Sequence, residues 1–281
     1  MKTDKTYLTY FSATHTSQKV GRAIAEGYGA TEPIEELDGT FEPISSNTLE
    51  RNNLLIACVP VYGGHVAPIA LKRLEALRGN QTPAVAVAVY GNRDFETAVL
   101  ELQTFLTERG FRVIAAAAFV GEHSYSTSEH PIAPNRPHSE DLQEARQFGQ
   151  AIHQKVESAD EPALTDAAQL VCPDSGEENL RGFIDFIKAC QAKAQAQPQA
   201  KPIKQVPIVN EDLCTHCGAC ANVCPTGAIE ENNPILVNAD KCIKCCACVK
   251  SCPEHARSLA TPFGPVLSKY FNLEKANVKV L

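Results

Sequence analysis

The runs Asn53–Val59 (NLLIACV) and Pro83–Tyr90 (PAVAVAVY) carry no polar alternation after Asn53. A strand solvated on one face alternates polar and apolar residues, whereas a parallel strand covered on both faces does not. Working outward, Thr6–Phe11, Thr31–Leu37 and Arg112–Val120 read as further strands. Helical patterns lie between them. Ser17–Tyr28 places Val20, Ile24 and Tyr28 on one face, and Pro68–Leu77 and Ser139–Val156 are also helical. Asp94–Arg109 is expected to start at an Asp94 N-cap and to end at Gly110. Strand and helix thus alternate over the first 160 residues, which implies a parallel sheet with helices on both faces, an α/β doubly wound fold of five strands.

Such sheets bind ligands at the carboxyl ends of their strands. Ser12-Ala13-Thr14-His15-Thr16-Ser17 joins the first strand to the first helix, where backbone N–H groups face an anion. It offers hydroxyls but neither a G-x-G-x-x-G nor a G-K-[ST] pattern, so a dinucleotide site and a P-loop NTPase are disfavoured. Taken alone, a Ser/Thr-rich turn is also an ordinary helix start. Pro60-Val61-Tyr62-Gly63-Gly64 and Tyr90-Gly91-Asn92-Arg93-Asp94-Phe95 follow the third and fourth strands. Each supplies glycine for close backbone approach and an aromatic side chain to flank a ring. Gly121-Glu122-His123-Ser124-Tyr125-Ser126, after the fifth strand, completes the set. These loops resemble those of the flavodoxins, whose first loop typically reads S/T-x-T-G-x-T. The resemblance implies a flavodoxin-like fold and FMN bound by the first three loops. His15 stands where that family usually has Gly, and a positive φ there would strain the loop.

Twelve cysteines are present, nine of them between Cys214 and Cys252. With no secretory segment at the start, clustered cysteines point to metal or redox chemistry rather than to disulfides. Residues 208–260 repeat with a period of 28: Val209, Asn210, Asp212, Cys214, Cys217, Cys220, Cys224 and Pro225 recur as Val237, Asn238, Asp240, Cys242, Cys245, Cys248, Cys252 and Pro253. Each half reads C-x2-C-x2-C-x3-C-P. Structural zinc more often uses two separated C-x2-C pairs. The run resembles the bacterial 2[4Fe–4S] ferredoxins, in which the fourth cysteine ligates the other cluster. That signature implies one [4Fe–4S] cluster on Cys214, Cys217, Cys220 and Cys252, and another on Cys242, Cys245, Cys248 and Cys224. Cys246 follows a ligand directly and is read as a spare thiol or an isomeric ligand. Cys58, inside an apolar run, is read as a small core filler.

These readings divide the chain into a flavodoxin-like FMN domain (1–160), a helix and Ala/Gln/Pro-rich linker (161–202), a small α+β ferredoxin domain (203–261) and a C-terminal tail (262–281). The cysteine-rich domain is too short to fold comfortably on an apolar core alone. An apolar fraction of 44% and a charged fraction of 21% exclude global disorder. A net charge of −7 argues against a nucleic-acid or anionic-membrane binder. Residues 201–260 are balanced, with 6 Lys and Arg against 6 Asp and Glu, so the acidic surplus lies upstream. No apolar run reaches the ~18 residues of a spanning helix.

As a whole the chain resembles the flavodoxin–ferredoxin fusion proteins of anaerobic bacteria and archaea. The resemblance implies one FMN and two [4Fe–4S] clusters on one polypeptide. The first reading that follows is an electron carrier exchanging electrons with redox protein partners, expected to be cytoplasmic because no secretory or spanning segment is read in the sequence. A homodimer is compatible with it. The alternative is a flavin-dependent reductase whose clusters feed FMN. No acid/base constellation beside the flavin loops and no second nucleotide motif is seen, which favours the carrier. A cluster-based sensor ranks last, because no DNA-binding motif is visible.

Overall fold

A computed structural model describes residues 3–30, 32–196 and 204–281. In chain order its elements begin β1 (Lys5–Tyr10), α1 (Thr16–Tyr28), β2 (Glu35–Asp38), β3 (Asn47–Leu49), β4 (Asn53–Tyr62) and β5 (His65–Val66). There follow α2 (Pro68–Arg73), β6 (Leu77–Gly79), β7 (Thr82–Tyr90), α3 (Ala98–Thr107), β8 (Phe111–Val120) and α4 (Ser139–Glu157). The chain continues through α5 (Glu177–Ala196), β9 (Ile208–Val209), α6 (Ala219–Asn222), α7 (Ala247–Lys250), β10 (Arg257–Ser258), α8 (Phe263–Tyr270) and β11 (Val278–Val280). They form two units. The first comprises residues 1–122, 135–173 and 275–281, and the second residues 123–134 and 174–274.

The first unit is built on a sheet of order β11-β8-β7-β4-β1-β2. The five strands from β8 to β2 run parallel. Counting only these, the order is 2-1-3-4-5, the flavodoxin-like doubly wound topology. Val85, Val87 and Val89 of β7 join Leu54, Ile56 and Cys58 of β4 in one core with α1 and α4. Alternate residues face the other side of the sheet, and α3 packs on β7 and β8. The two helices α1 and α4 meet at glycines. A methyl on Gly27 would stand 2.0 Å from the Arg146 carbonyl oxygen, and one on Gly149 would stand 2.1 Å from that of Ile24. No side chain fits at either position.

The sheet also departs from the sequence reading. Strand β11, from the expected tail, pairs antiparallel with β8 and covers what would be an open edge. Asn277 accepts from the Val120 amide through Oδ1 at 2.8 Å and donates to Asp141 Oδ1 at 2.9 Å. Arg136 clasps the same carboxylate, with Nε donating to Oδ2 at 2.8 Å, and donates to the Lys275 carbonyl at 2.7 Å. The helix expected at 94–109 starts at Ala98, because the Asp94 side chain accepts from the Glu96 amide and closes a turn of its own. The helix expected at 68–77 stops at Arg73, and Leu77 enters a short parallel strand beside β3.

The second unit has two small cores. In one, Phe183 and Phe186 of α5 meet Phe271 and Phe263 edge to face. Tyr125, Ile132 and Leu267 complete this core. The helix α5 matches the stretch read as helical at 176–194 and runs into the Ala/Gln/Pro-rich stretch at 191–202, of which residues 197–202 lie outside the described ones. The other core joins Ile229 to Cys220 and Cys248. Here the 28-residue repeat is a backbone repeat. Asn210 N–H donates to the Ala256 carbonyl at 2.8 Å, and Asn238 N–H to that of Ala228 at 2.7 Å. The strand pair β9–β10 is echoed by a bridge between Ile229 and Val237.

The Asp141 carboxyl yields a stability prediction. Burial would raise its pKa, but hydrogen bonds from Arg136, Asn277 and the His138 amide outweigh burial and hold it below the ordinary value. A lowered carboxyl pKa stabilises the fold above the unfolded value, about 3.9. That contribution is lost as pH falls through the folded-state value. Asp141→Asn should therefore lower stability at pH 7 by about 3 kcal/mol. Denaturant unfolding of both proteins should show the gap closing below pH 4.

Candidate functional site

Eight of the repeated cysteines line two hollows in the second unit. One, partly open to solvent, is lined by Cys214, Cys217 and Cys220 of the first repeat and Cys252 of the second. The other is lined by Cys242, Cys245 and Cys248 of the second repeat and Cys224 of the first. Left-handed backbone positions curl the chain at each. His216 and Gly218 have φ 55° and 77°, and their repeat equivalents Lys244 and Cys246 have φ 56° and 59°. Each curl leads into a one-turn helix, α6 or α7. The crossing cysteines accept a backbone hydrogen bond at the same place in each repeat. Ala228 N–H donates to Cys224 Sγ at 3.2 Å and Ala256 N–H to Cys252 Sγ at 3.3 Å.

The chemistry of this donor set suits an iron–sulfur cluster. The thiols stand around hollows, as a polynuclear centre requires and a lone zinc ion does not. Burial pushes the thiols of Cys245 and Cys248 up to about 11 and about 12. Neither thiol ionises at neutral pH without a cation beside it. Cys246 is also buried, lines the second hollow and donates weakly to the Lys244 carbonyl at 3.6 Å. It fills the left-handed position that Gly218 holds in the first repeat.

The expected flavin loops share the carboxyl edge of the sheet in the first unit. Ser12 Oγ accepts from the Gln18 amide at 3.1 Å, and Ser12 N–H donates to Thr40 Oγ1 at 3.0 Å. The amides of Thr14, Thr16 and Ser17 have no acceptor among the described residues, which leaves the start of α1 open to an anion. His15 adopts φ 62°, the conformation that glycine adopts without penalty. Strand β4 runs on through Pro60 and Val61 into a hairpin at Tyr62-Gly63-Gly64, closed by β5. A methyl on Gly64 would meet the Glu96 carboxylate at 2.2 Å, so the second loop lies against the third. A methyl on Gly121 would meet the Thr16 side chain at 2.5 Å, so the residue after β8 lies against the first loop. From His123 onward that segment belongs to the second unit.

The third loop differs from its sequence reading. Tyr90 and Phe95 are both buried and pack edge to face at 5.4 Å, so they flank each other. Tyr62 is only half-buried. Asn92 accepts from the Lys275 amide at 3.1 Å, and Lys275 Nζ donates to the Arg93 carbonyl and, at 3.4 Å, to Cys172 Sγ. Cys172 Sγ lies 4.0 Å from the Tyr90 hydroxyl. Neither Cys172 nor Lys275 belongs to a motif, and no signal in the sequence ties either to this loop.

Residues 207–230 and 235–258 match the family model of the 4Fe-4S binding domain. These residues are a 4Fe-4S binding domain. The chain thus carries the donor set of a redox protein, and electron transfer is the chemistry such motifs support. Comparison with curated proteins finds no match. Among solved structures the chain is similar to a flavodoxin from the domain Archaea, at 14% identity and TM-score 0.38, covering 54% of this chain and 99% of that one. It is likewise similar to flavodoxin 2 from Bacillus cereus (15%, TM-score 0.39, 54% and 99%). An NADH:FMN oxidoreductase gives 11% and TM-score 0.40, covering 57% of this chain and 94% of that one. Among the described residues no helix is long and apolar enough to cross a membrane.

The backbone of His15 carries a test. A non-glycine residue in the left-handed region is strained by about 1 kcal/mol. His15→Gly should raise the thermal unfolding midpoint of the protein and His15→Val should lower it. The reverse order would show that the imidazole contributes more than the backbone loses.

Proposed function

We propose that this protein is an electron carrier that holds one FMN and two [4Fe–4S] clusters and exchanges electrons with partner redox proteins. The observation that carries the reading is the pair of hollows, each lined by the first three motif thiols of one repeat and the fourth of the other, with Cys246 as an additional thiol at the second. On this reading Cys214, Cys217, Cys220 and Cys252 hold one cluster, and Cys242, Cys245, Cys248 and Cys224 hold the second. Bound FMN takes up electrons in pairs or singly and each cluster carries one at a time, so the chain would join two-electron to one-electron traffic.

The residues of the chain divide the remaining work. The free amides of Thr14, Thr16 and Ser17, with the hydroxyls of Thr14 and Thr16, would hold the phosphate of FMN at the positive end of α1. Gly63 and Gly64 would let the second loop approach the ring closely, and Tyr62 would flank it. Asn92 and the Arg93 carbonyl, both bonded to Lys275, hold the third loop in shape. Amide donors to Cys224 and Cys252 stabilise charge on sulfur and so favour the reduced clusters.

Anaerobic purification of the full chain should give about eight iron and eight acid-labile sulfide, as two cubanes require, with one extractable FMN. Zinc in place of iron would retire the cluster reading. Iron and sulfide without FMN would retire the flavin. Two variants refine the assignment. Cys252→Ser should damage the EPR signal of the cluster on Cys214, Cys217 and Cys220 and spare the other. Thr14→Ala should weaken FMN binding and leave the iron content unchanged.

A further inference from the structure

The two repeats agree so closely in backbone that their differences are informative. At the position where the first repeat has Ile229, the second has Arg257. Both residues are 5% exposed. Ile229 packs against Cys220 and Cys248 as an apolar filler. Arg257 lines the hollow of Cys214, Cys217, Cys220 and Cys252, and not the other. One guanidinium nitrogen donates to the Pro234 carbonyl. The other terminal nitrogen, NH1, is buried and has no hydrogen-bond partner among the described residues.

A buried guanidinium with an unanswered N–H is destabilising unless an anion lies beside it. Glu254 lines the same hollow but is exposed to solvent and forms no ion pair with Arg257. The thiolate-ligated cluster proposed for this hollow meets the requirement. A cubane bound by four thiolates is anionic, and it gains one further negative charge when it takes up an electron. A fixed cation beside it favours the reduced state more than the oxidised state, and so raises the potential.

Resting on the cluster reading above, we infer that Arg257 raises the reduction potential of the cluster on Cys214, Cys217, Cys220 and Cys252 above that of its neighbour. The pseudo-twofold domain is then electrically unequal, and an electron entering it settles beside Arg257. Cys248 in the other hollow also feels the guanidinium charge, so the neighbouring cluster would be moved in the same direction, and the inequality rests on Arg257 lining one hollow and not the other.

The test is an EPR-monitored redox titration of the anaerobic full-length protein, with iron and sulfide counted in parallel. Wild type should titrate in two steps. Arg257→Met should keep its iron and sulfide, while the higher step moves to lower potential by more than the lower step does. Arg257→Lys should stay near wild type. Intact clusters with both midpoints unmoved, or moved equally, would overturn the inference. If the Met variant loses iron, Arg257→Gln keeps a donor for the Pro234 carbonyl and is read in its place. Loss of iron there too would make Arg257 a structural residue and overturn the inference as well. A wild-type protein lacking iron and sulfide would instead remove the cluster reading itself.

Discussion

The sulfur buried between Cys214 and Cys252 can act as thiolate only beside a cation. With their thiols pushed well above neutrality by burial, Cys245 and Cys248 cannot be anionic on their own. Little else holds this part of the second unit together. Its apolar core is Ile229 with a few partners, and its regular elements are two-residue strands and four-residue helices. Each hollow draws thiols from both repeats, so on the proposed cluster reading metal binding and folding would be one event. The left-handed turns at His216, Gly218, Lys244 and Cys246 serve this arrangement, since a helix or strand could not bend three thiols around one centre.

The first unit solves a different problem. Its sheet buries both faces with small and branched residues, and the exposed edge of β8 is closed by the last few residues of the chain. The closure is held by a polar group: Arg136, Asp141 and Asn277 are all buried and satisfy one another. The same peptide brings Lys275 to the third loop, so the covering of an edge and the shape of a candidate binding loop depend on one short segment.

Most of what the sequence revealed was local. NLLIACV and PAVAVAVY disclosed a doubly covered sheet because burial on both faces leaves no other composition. The repeat in the cysteine region could be aligned by eye, and its period became a repeat of backbone conformation. Readings failed where distant segments decide. Nothing near Val278 announces an antiparallel partner in β8, since three residues carry too little pattern. Asp94 reads as a helix cap until its side chain closes a turn on Glu96 instead. Tyr90 and Phe95 read as aromatics placed to flank a ring, whereas they pack on each other and Tyr90 meets Cys172, which lies far along the chain. Arg257 looked unremarkable among neutral neighbours, and only the folded repeat shows that its twin is an apolar filler.

Each unit is assembled from separated stretches of chain, and the polypeptide passes from one to the other at four points. A simple end-to-end fusion of two genes would leave a single joint. Here the second unit borrows residues 123–134 from within the first, and the first recovers its edge strand only after the second is complete. Neither can be released by one proteolytic cut, and ribosomal synthesis cannot finish the first sheet before the cysteine repeats have emerged. Moving either unit into another protein would require transferring an interrupted set of segments.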